Sequence, residues 1–300
     1  MILDGWGKSP DPKVSAIDNA NVPFINSLYK NYPSAQLRTD GLNVGLPEGQ
    51  MGNSEVGHMN LGAGRIVYQD LAKINLAVEH KTLAKEQVLI DAFTYAKNNN
   101  KKVHFLGLVS DGGVHSHTSH LRGLIDASQE YGLDQVYVHA FTDGRDVDPK
   151  SGAKYIHDLE DYIKDTPVKI ASIIGRYYSM DRDRRWERIK LAYDLVVNGI
   201  GIPSTNPVAS VLDSYAHEVT DEFIAPVVIV DEQQKPLATI VEGDVVIFFN
   251  FRTDRGRELT EALSQQDFHE QNMHKLNLYY VTLTNYDETY QNVKVVYNKD

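Results

Sequence analysis

Cysteine is absent from the 300 residues of this chain, and its absence removes two classes of site. Without cysteine there is no disulfide framework and no thiolate metal site, which is common in proteins of a reducing compartment. A bound metal must therefore take oxygen or imidazole ligands. The sequence also lacks an apolar run long enough to span a bilayer and shows no secretion-signal pattern. We therefore expect a cytoplasmic protein.

Basic residues are scarce relative to acidic ones. Lysine and arginine number 30 against 41 aspartates and glutamates, which gives a formal net charge of -11. A negative long-range field repels nucleic acids and anionic membranes, so we expect neither as a partner. A site for an anionic ligand has to be built from a local cluster of basic side chains.

Short apolar runs alternate with longer segments of helical spacing from about residue 100 onward. This alternation is typical of an α/β fold in which helices cover a mainly parallel sheet. Apolar residues recur at helical spacing within 120–131, 153–163 and 186–197. The predicted strands are 103–109, 136–141, 168–174, 227–230, 245–249 and 278–283.

The first 68 residues have a different texture, because closely spaced glycines between residues 41 and 64 indicate a system of active-site loops. A length of 300 residues with 42% hydrophobic content suits two domains. Residues 1–3 lead directly into an Asp-Gly-Trp-Gly turn, which resembles the end of a strand. We therefore expect a first strand that is cut short, and a domain boundary near residue 68.

Four of the predicted strands end in polar clusters, at 110–117, 142–146, 175–176 and 250–255. In open α/β sheets ligands collect beyond the carboxyl ends of the strands, so these endings predict one shared pocket. Guanidinium groups suit phosphate and carboxylate oxygens. A single arginine would more often pair with a surface carboxylate, but the set predicts an anion site. Its members are Arg145, Arg176, Arg182, Arg252 and Arg255.

Residues 51–58, Met-Gly-Asn-Ser-Glu-Val-Gly-His, have the pattern of a loop that enters a short helix. Asn53 or Ser54 would be its N-cap. A serine at this position lies where backbone N–H groups and the helix dipole stabilise an anion. Plain capping is the commoner explanation of such a motif, so the motif alone does not assign Ser54 a chemical role.

Two further patterns suggest metal ligands. Asp4 closes the first apolar segment just before a turn, where a carboxylate is both fixed and open to a metal ion. His115, His117 and His120 have the spacing of an imidazole site. Histidines at a helix start that bind nothing are at least as common, so both explanations stay open.

Six segments, taken in order along the chain, resemble the cofactor-independent phosphoglycerate mutases. They are 3–7, 52–58, 110–117, 143–146, 175–186 and 250–255. Each piece alone is unspecific, but six in the order of the family cover essentially the whole chain. The resemblance implies glycolytic and gluconeogenic interconversion of 3-phosphoglycerate and 2-phosphoglycerate through a phosphoserine on Ser54.

The resemblance also implies a domain arrangement. Residues 1–68 would begin an alkaline-phosphatase-like catalytic domain, and residues 69–300 would form an inserted substrate-binding domain. The remainder of the catalytic domain, with its aspartate and histidine metal ligands, is expected beyond residue 300. Because the chemistry depends on those ligands, we expect the 300 residues alone to be inactive or nearly so.

The site residues follow from the motifs that they match. The resemblance makes Ser54 the nucleophile and, with Asp4, a ligand of two divalent cations, Mn²⁺ or Mg²⁺. Asp146 is the candidate proton acceptor, and an ion pair with Arg145 is the alternative. The residues expected to hold the substrate are His115, Arg145, Asp146, Arg176, Arg182, Arg252 and Arg255.

Two other functions stay open from the sequence. The same serine and metals would serve a phosphomonoesterase or another phosphosugar mutase of the superfamily. The second domain alone would serve as a non-catalytic anion-binding module. The expected partner is a small phosphoglycerate, with no nucleic acid and no membrane, and the expected oligomeric state is a monomer.

Overall fold

The computed structural model describes residues 1–298, which fall into two compact units, Met1–Lys73 and a second unit that begins at Ile74. The first unit consists of loops, 3₁₀ turns and helices. The expectation of a strand end at residues 1–3 was wrong, because no described strand hydrogen-bonds to this segment. The turn that follows is present, since Trp6 N donates to Leu3 O at 3.1 Å. Its helices are α1 (Pro23–Asn31) and α2 (Ser54–Ala63), and α3 (Asp70–Glu79) continues from the first unit into the second.

One eight-stranded sheet forms the centre of the second unit. Its order is β4-β5-β3-β2-β1-β6-β7-β8, and every neighbouring pair is parallel except β3 with β5. The predicted α/β fold with a mainly parallel sheet is therefore confirmed. The strands are β1 (Val103–Leu108), β2 (Val136–Thr142), β3 (Lys169–Gly175), β4 (Ile202–Ser204), β5 (Val227–Ile229), β6 (Val245–Phe248), β7 (Tyr279–Thr284) and β8 (Val293–Tyr297).

The six predicted strands all exist, and the two that the sequence pattern missed lie at the edges of the sheet. Every residue of β1 and β6 is buried, because parallel strands covered on both faces read as continuous apolar runs. β4 has only three residues, one of them Pro203, and β8 is half-exposed. Short or half-exposed edge strands carry too weak an apolar pattern to be recognised.

Helices cover the two faces of this sheet. Their apolar residues recur every three or four positions, as Ile156, Leu159 and Ile163 do, so that one stripe is buried. Within residues 1–298, every helix is too short or too polar to cross a membrane. The helices are α4 (Gln87–Asn98), α5 (Thr118–Glu130), α6 (Gly152–Ile163), α7 (Arg176–Ser179), α8 (Trp186–Asn198), α9 (Pro207–Ala216) and α10 (Arg257–Thr260), which continues as a π-helix over Glu261–Gln265.

The loops after β1, β2, β3 and β6 leave the same edge of the sheet. β1 lies between β2 and β6. The strands β2 and β3 follow on one side of β1, and the strands β6, β7 and β8 follow on its other side. A crevice forms at such a switch point beyond the carboxyl ends of the strands. The fold therefore brings the four polar strand ends to one region of the second unit.

Candidate functional site

Arg176 joins three of the strand-end clusters. It is the first residue of α7, directly after β3, and is only 3% exposed. Its Nη1 donates to Asp143 Oδ1 at 2.9 Å and to Asp146 Oδ2 at 2.6 Å. Its Nη2 lies 3.1 Å from His115 Nε2. The loops after β1, β2 and β3 therefore meet at one guanidinium group.

Asp143 was missing from the predicted site residues, although it organises this cluster. Its Oδ1 accepts from the backbone N–H groups of Arg145 (3.1 Å) and Asp146 (2.9 Å), and its Oδ2 accepts from Ser110 Oγ at 2.6 Å. Burial alone would raise the pKa of Asp143, but these hydrogen bonds and Arg176 lower it below its usual value. Its position immediately after a predicted strand, within the polar cluster at 142–146, was the signal that could have identified it.

His115 is held as a neutral imidazole. Burial and then the Arg176 guanidinium lower the pKa of His115 to about 4. Because Arg176 donates to Nε2, the ring proton of the neutral form lies on Nδ1. No described group hydrogen-bonds Nδ1, although the residue is 3% exposed and Asp254 Oδ1 lies 4.0 Å away. A buried donor without a partner suits an acceptor atom of a ligand.

The other arginines surround the same region with more exposed side chains. Arg182 Nη1 lies 2.7 Å from Asp254 Oδ2, and Arg252 Nε lies 3.1 Å from Asp254 Oδ1. Arg255 Nη1 donates to Met180 O at 3.0 Å. Burial, followed by the charges of Arg182, Arg176 and Arg145, lowers the pKa of Arg255. The arginine side chains repel one another because positive charge is in excess around Arg255. This excess favours the binding of an anionic ligand.

Asp146 has a partner different from the one considered in the sequence. The alternative to a proton-accepting role was an ion pair with Arg145, but Asp146 pairs with Arg176. The carboxylate near Arg145 belongs to Glu222, at 3.7 Å, and the Arg145 side chain is 54% exposed. Arg145 is therefore free to reorient toward a ligand, whereas Arg176 is fixed by its three partners.

In the first unit, Ser54 and Asp4 lie together although 50 residues separate them. Ser54 Oγ donates to Asp4 Oδ2 at 2.7 Å. The N-cap of α2 is Asn53, whose side chain accepts from Val56 N at 3.1 Å, so Ser54 does not serve as the cap. His58, one turn further along α2, places Nδ1 3.2 Å from Ser54 Oγ. His58 was quoted in the motif but given no role.

The metal predictions fit the structure unequally. Asp4 and Ser54 offer two oxygen donors, which suit a hard divalent cation but do not complete a coordination shell. His117 Nδ1 accepts from Ser119 N at the start of α5, and His120 Nε2 lies 2.6 Å from Asn75 Oδ1. Within residues 1–298, the one group of three potential ligands that converges is Asp267, His269 and His274, which the sequence analysis did not single out.

Comparisons with known proteins agree on one family. The family model described as "BPG-independent PGAM N-terminus" matches residues 74–288. All 300 residues align with 2,3-bisphosphoglycerate-independent phosphoglycerate mutases of Flavobacterium johnsoniae (94% identity) and Flavobacterium psychrophilum (78% identity). The chain spans 59% of the length of each of these relatives.

A solved structure agrees with the sequence relatives. The Leishmania mexicana phosphoglycerate mutase, crystallised at low cobalt concentration, superposes with a TM-score of 0.73 and 31% identity. The match covers 91% of this chain and 52% of that one. At this identity and coverage, the likeness supports both the fold and the relationship.

Proposed function

This chain belongs to the family of the N-terminal region of BPG-independent phosphoglycerate mutases, and we propose that it serves an enzyme that interconverts 3-phosphoglycerate and 2-phosphoglycerate. The observation that carries the proposal is the arginine cluster around Arg176 and Arg255 in a chain of net charge -11. We extend the proposal to a monomeric enzyme of cytoplasmic glycolysis that needs no 2,3-bisphosphoglycerate. The relatives' names support the mutase activity and its independence of 2,3-bisphosphoglycerate.

The second unit is proposed to hold the glycerate. Arg176 is fixed by Asp143 and Asp146, so it offers a preset charge without losing side-chain entropy when a ligand binds. Arg145, Arg182, Arg252 and Arg255 would contact the carboxylate and phosphate oxygens. Charged hydrogen bonds contribute about 1.5–3 kcal/mol each, so a few of them retain a small anion. His115 would donate from Nδ1 to a ligand oxygen.

Ser54 is proposed to carry the phosphoryl group between the two hydroxyl oxygens. Ser54 Oγ would lose its proton and attack phosphorus as the bond from phosphorus to the glycerate O3 breaks, and O3 would gain one proton as it leaves. The O2 hydroxyl of the same glycerate would then lose its proton and attack phosphorus as the bond from phosphorus to Ser54 Oγ breaks, and Oγ would regain one proton. Asp146, which lies 2.6 Å from Arg176, is the proposed acceptor of the O2 proton.

Asp4 and Ser54 would hold divalent metal ions, Mn²⁺ or Mg²⁺, through the two oxygens described above. Such ions lower the pKa of a bound hydroxyl and neutralise charge on phosphoryl oxygens. We propose that residues 1–68 begin the catalytic domain, that residues 69–300 form an inserted domain, and that the remaining ligands follow residue 300. The start of the family match at residue 74 supports this arrangement. The 300 residues alone should therefore be inactive.

One experiment separates the proposed function from its alternatives. The full-length protein is assayed with 3-phosphoglycerate and Mn²⁺ in an enolase-coupled reaction without 2,3-bisphosphoglycerate, beside a phosphate-release assay. We expect coupled activity that Ser54→Ala abolishes. Ser27→Ala is the control, because Ser27 is also a helical serine of the first unit and its side chain donates to Phe24 O within the same helix. Phosphate release without coupled activity would instead indicate a phosphomonoesterase, and binding without either activity an anion-binding module.

A further inference from the structure

The segment from Asp267 to His274 forms a small closed loop between the π-helix that ends at Gln265 and β7. Two backbone hydrogen bonds close it, Phe268 N to Met273 O at 2.8 Å and Met273 N to Phe268 O at 3.1 Å. Asn272 adopts the left-handed conformation, with φ of 50°, where the chain reverses. The loop therefore has a defined shape and brings its two ends together.

The same loop is anchored on the body of the second unit. Met273 is completely buried, and the Phe268 ring lies 4.1 Å from the Trp186 ring at the start of α8. The Tyr193 hydroxyl accepts from His274 N at 3.0 Å and donates to His274 O at 2.5 Å. These contacts fix the backbone of the loop, so the Cα atoms that carry its outward side chains are held in place.

Three side chains that bind metals converge on the outer side of this loop. Asp267, His269 and His274 each place one ligand atom within 4.8 Å of the other two. The carboxylate is oriented by Lys275 N, which donates to Asp267 Oδ1 at 2.9 Å. All three residues are exposed, so water molecules can complete the coordination shell.

A second observation points to a ligand role for His274. Its Nε2 lies 3.3 Å from Asn272 Oδ1, which can accept a ring N–H. Metal-binding histidines usually donate their second ring N–H to an oxygen, which fixes the tautomer and the ring orientation. When Nε2 donates to Asn272, the lone pair of His274 lies on Nδ1, which is the atom that can coordinate a metal ion.

We propose that Asp267, His269 and His274 form a site for one transition-metal ion of the Zn²⁺, Co²⁺, Ni²⁺ or Cu²⁺ class. Two imidazoles with one carboxylate suit these ions, whereas Mg²⁺ prefers an all-oxygen shell. Mn²⁺ binds such donor sets most weakly among the divalent first-row ions. This donor set also differs from the oxygen pair of Asp4 and Ser54, so the inference does not depend on the proposed enzymatic function.

The fluorescence of one tryptophan can report metal binding at the proposed site. The chain contains two tryptophans, Trp6 and Trp186, and the Trp186 ring contacts the ring of Phe268, which belongs to the loop of the proposed site. In a Trp6→Phe background, Co²⁺ titrated into the 300-residue protein should quench Trp186 fluorescence to saturation at one equivalent. Zn²⁺ should reverse the quenching by competition, and Mg²⁺ should not.

Variants of the loop test the assignment. Loss of an outer partner of a metal ligand weakens binding about 10- to 100-fold, so His269→Ala, His274→Ala and Asp267→Asn should each weaken quenching at least as much. His217→Ala is the matched control, because His217 is an exposed histidine 3.8 Å from Asp213 on α9. Equilibrium dialysis should show that His274→Ala binds one equivalent less Zn²⁺ than the control.

Because the three side chains are exposed, these variants should keep the wild-type circular dichroism spectrum. The proposal is overturned if His269→Ala and His274→Ala bind Zn²⁺ as tightly as the control does, or if Mg²⁺ competes as effectively as Zn²⁺.

Discussion

The two units of the chain differ in how much apolar surface they bury. The first unit has one small buried cluster, formed by Val44, Leu46 and Val56, while Phe24 and Leu37 are 69% and 81% exposed. The second unit has two large clusters that lie on its sheet and include residues such as Phe105 and Phe248. Burial of apolar area is the main favourable contribution to folding. The second unit therefore holds most of the stability, while the first unit owes its local shape to turns and helix caps.

The largest expected effect tests this contrast with two phenylalanines. Phe105→Ala removes a fully buried ring from β1, which should reduce the free energy of unfolding by about 3–5 kcal/mol. Phe24→Ala removes an exposed ring from the first unit and should change it by less than about 0.5 kcal/mol. Urea denaturation followed by circular dichroism measures both. Equal losses in the two variants would contradict the contrast.

The next effect separates Arg176 from the exposed arginines. Arg176→Ala leaves Asp143 and part of Asp146 buried without their cation, which should destabilise the second unit by about 3–5 kcal/mol. Arg145→Ala, at a side chain 54% exposed, should cost at most about 1 kcal/mol of stability.

Both variants should still weaken binding of 3-phosphoglycerate, measured by calorimetry. Arg145→Ala is the informative one, since its loss of affinity comes without a loss of fold. Unchanged affinity in Arg145→Ala would remove this residue from the proposed substrate site.

A buried polar chain runs across the sheet of the second unit. Ser172 Oγ lies 2.7 Å from His139 Nδ1, His139 Nε2 lies 2.9 Å from His104 Nδ1, and His104 Nε2 lies 2.9 Å from Asp244 Oδ2. Each contact is satisfied by two neutral imidazoles that donate in one direction. An added proton would place a positive charge on one of two fully buried rings, which burial disfavours.

The row of hydrogen-bonded side chains from Ser172 to Asp244 predicts that the protein loses stability in acid. Burial lowers the pKa of His104 and of His139 below 6.5 in the folded protein. The unfolded chain then binds more protons, so stability is complete above about pH 6.5 and declines as the pH falls, by at most about 2 kcal/mol per histidine at pH 5. His139→Gln replaces a titrating imidazole by a polar side chain that does not titrate and should reduce the pH slope, measured by urea unfolding between pH 7 and 5. The exposed-site variant His217→Ala should leave the slope unchanged, and a slope unaffected in both would refute the role of the chain.

The sequence predicted the second unit better than the first, for a physical reason. Buried parallel strands such as β1 carry continuous apolar runs, and a strand end followed by polar residues predicts where a site lies. Contacts between charged side chains leave no such pattern. Nothing in the sequence showed that Asp146 would pair with Arg176 rather than Arg145, because both arginines follow a strand.

Metal-binding side chains were predicted least well. The histidine spacing at residues 115–120 attracted attention, yet His117 caps α5. Asp267, His269 and His274 converge only because the loop closes through Phe268 and Met273, a pairing that has no sequence signature.

The last prediction concerns the segment that carries Arg182. Glu258 on α10 is 6% exposed, and its Oε1 accepts from Arg184 N at 2.7 Å. No described donor reaches its Oε2, and the neighbouring carboxyl group belongs to Asp181. Burial raises the pKa of Glu258 to about 7; the Arg184 N–H opposes this rise and Asp181 adds to it. Near neutral pH, a proton on Glu258 therefore allows a hydrogen bond between the carboxyl groups of Glu258 and Asp181.

The pH dependence has the opposite sign to that of the histidines. A carboxyl group whose pKa is raised on folding contributes fully below its unfolded value of about 4.5, and this contribution is lost as the pH rises through about 7. Glu258→Gln supplies a hydrogen-bond donor at every pH. The stability of this variant relative to the wild type should therefore increase as the pH rises from 5 to 8, by on the order of 1–3 kcal/mol. Urea unfolding at the two pH values measures the gain, with the exposed-site variant Glu130→Gln as control. A gain of the same size at pH 5 and pH 8 would show that Glu258 stays ionised and that Asp181 is held by its other donors alone.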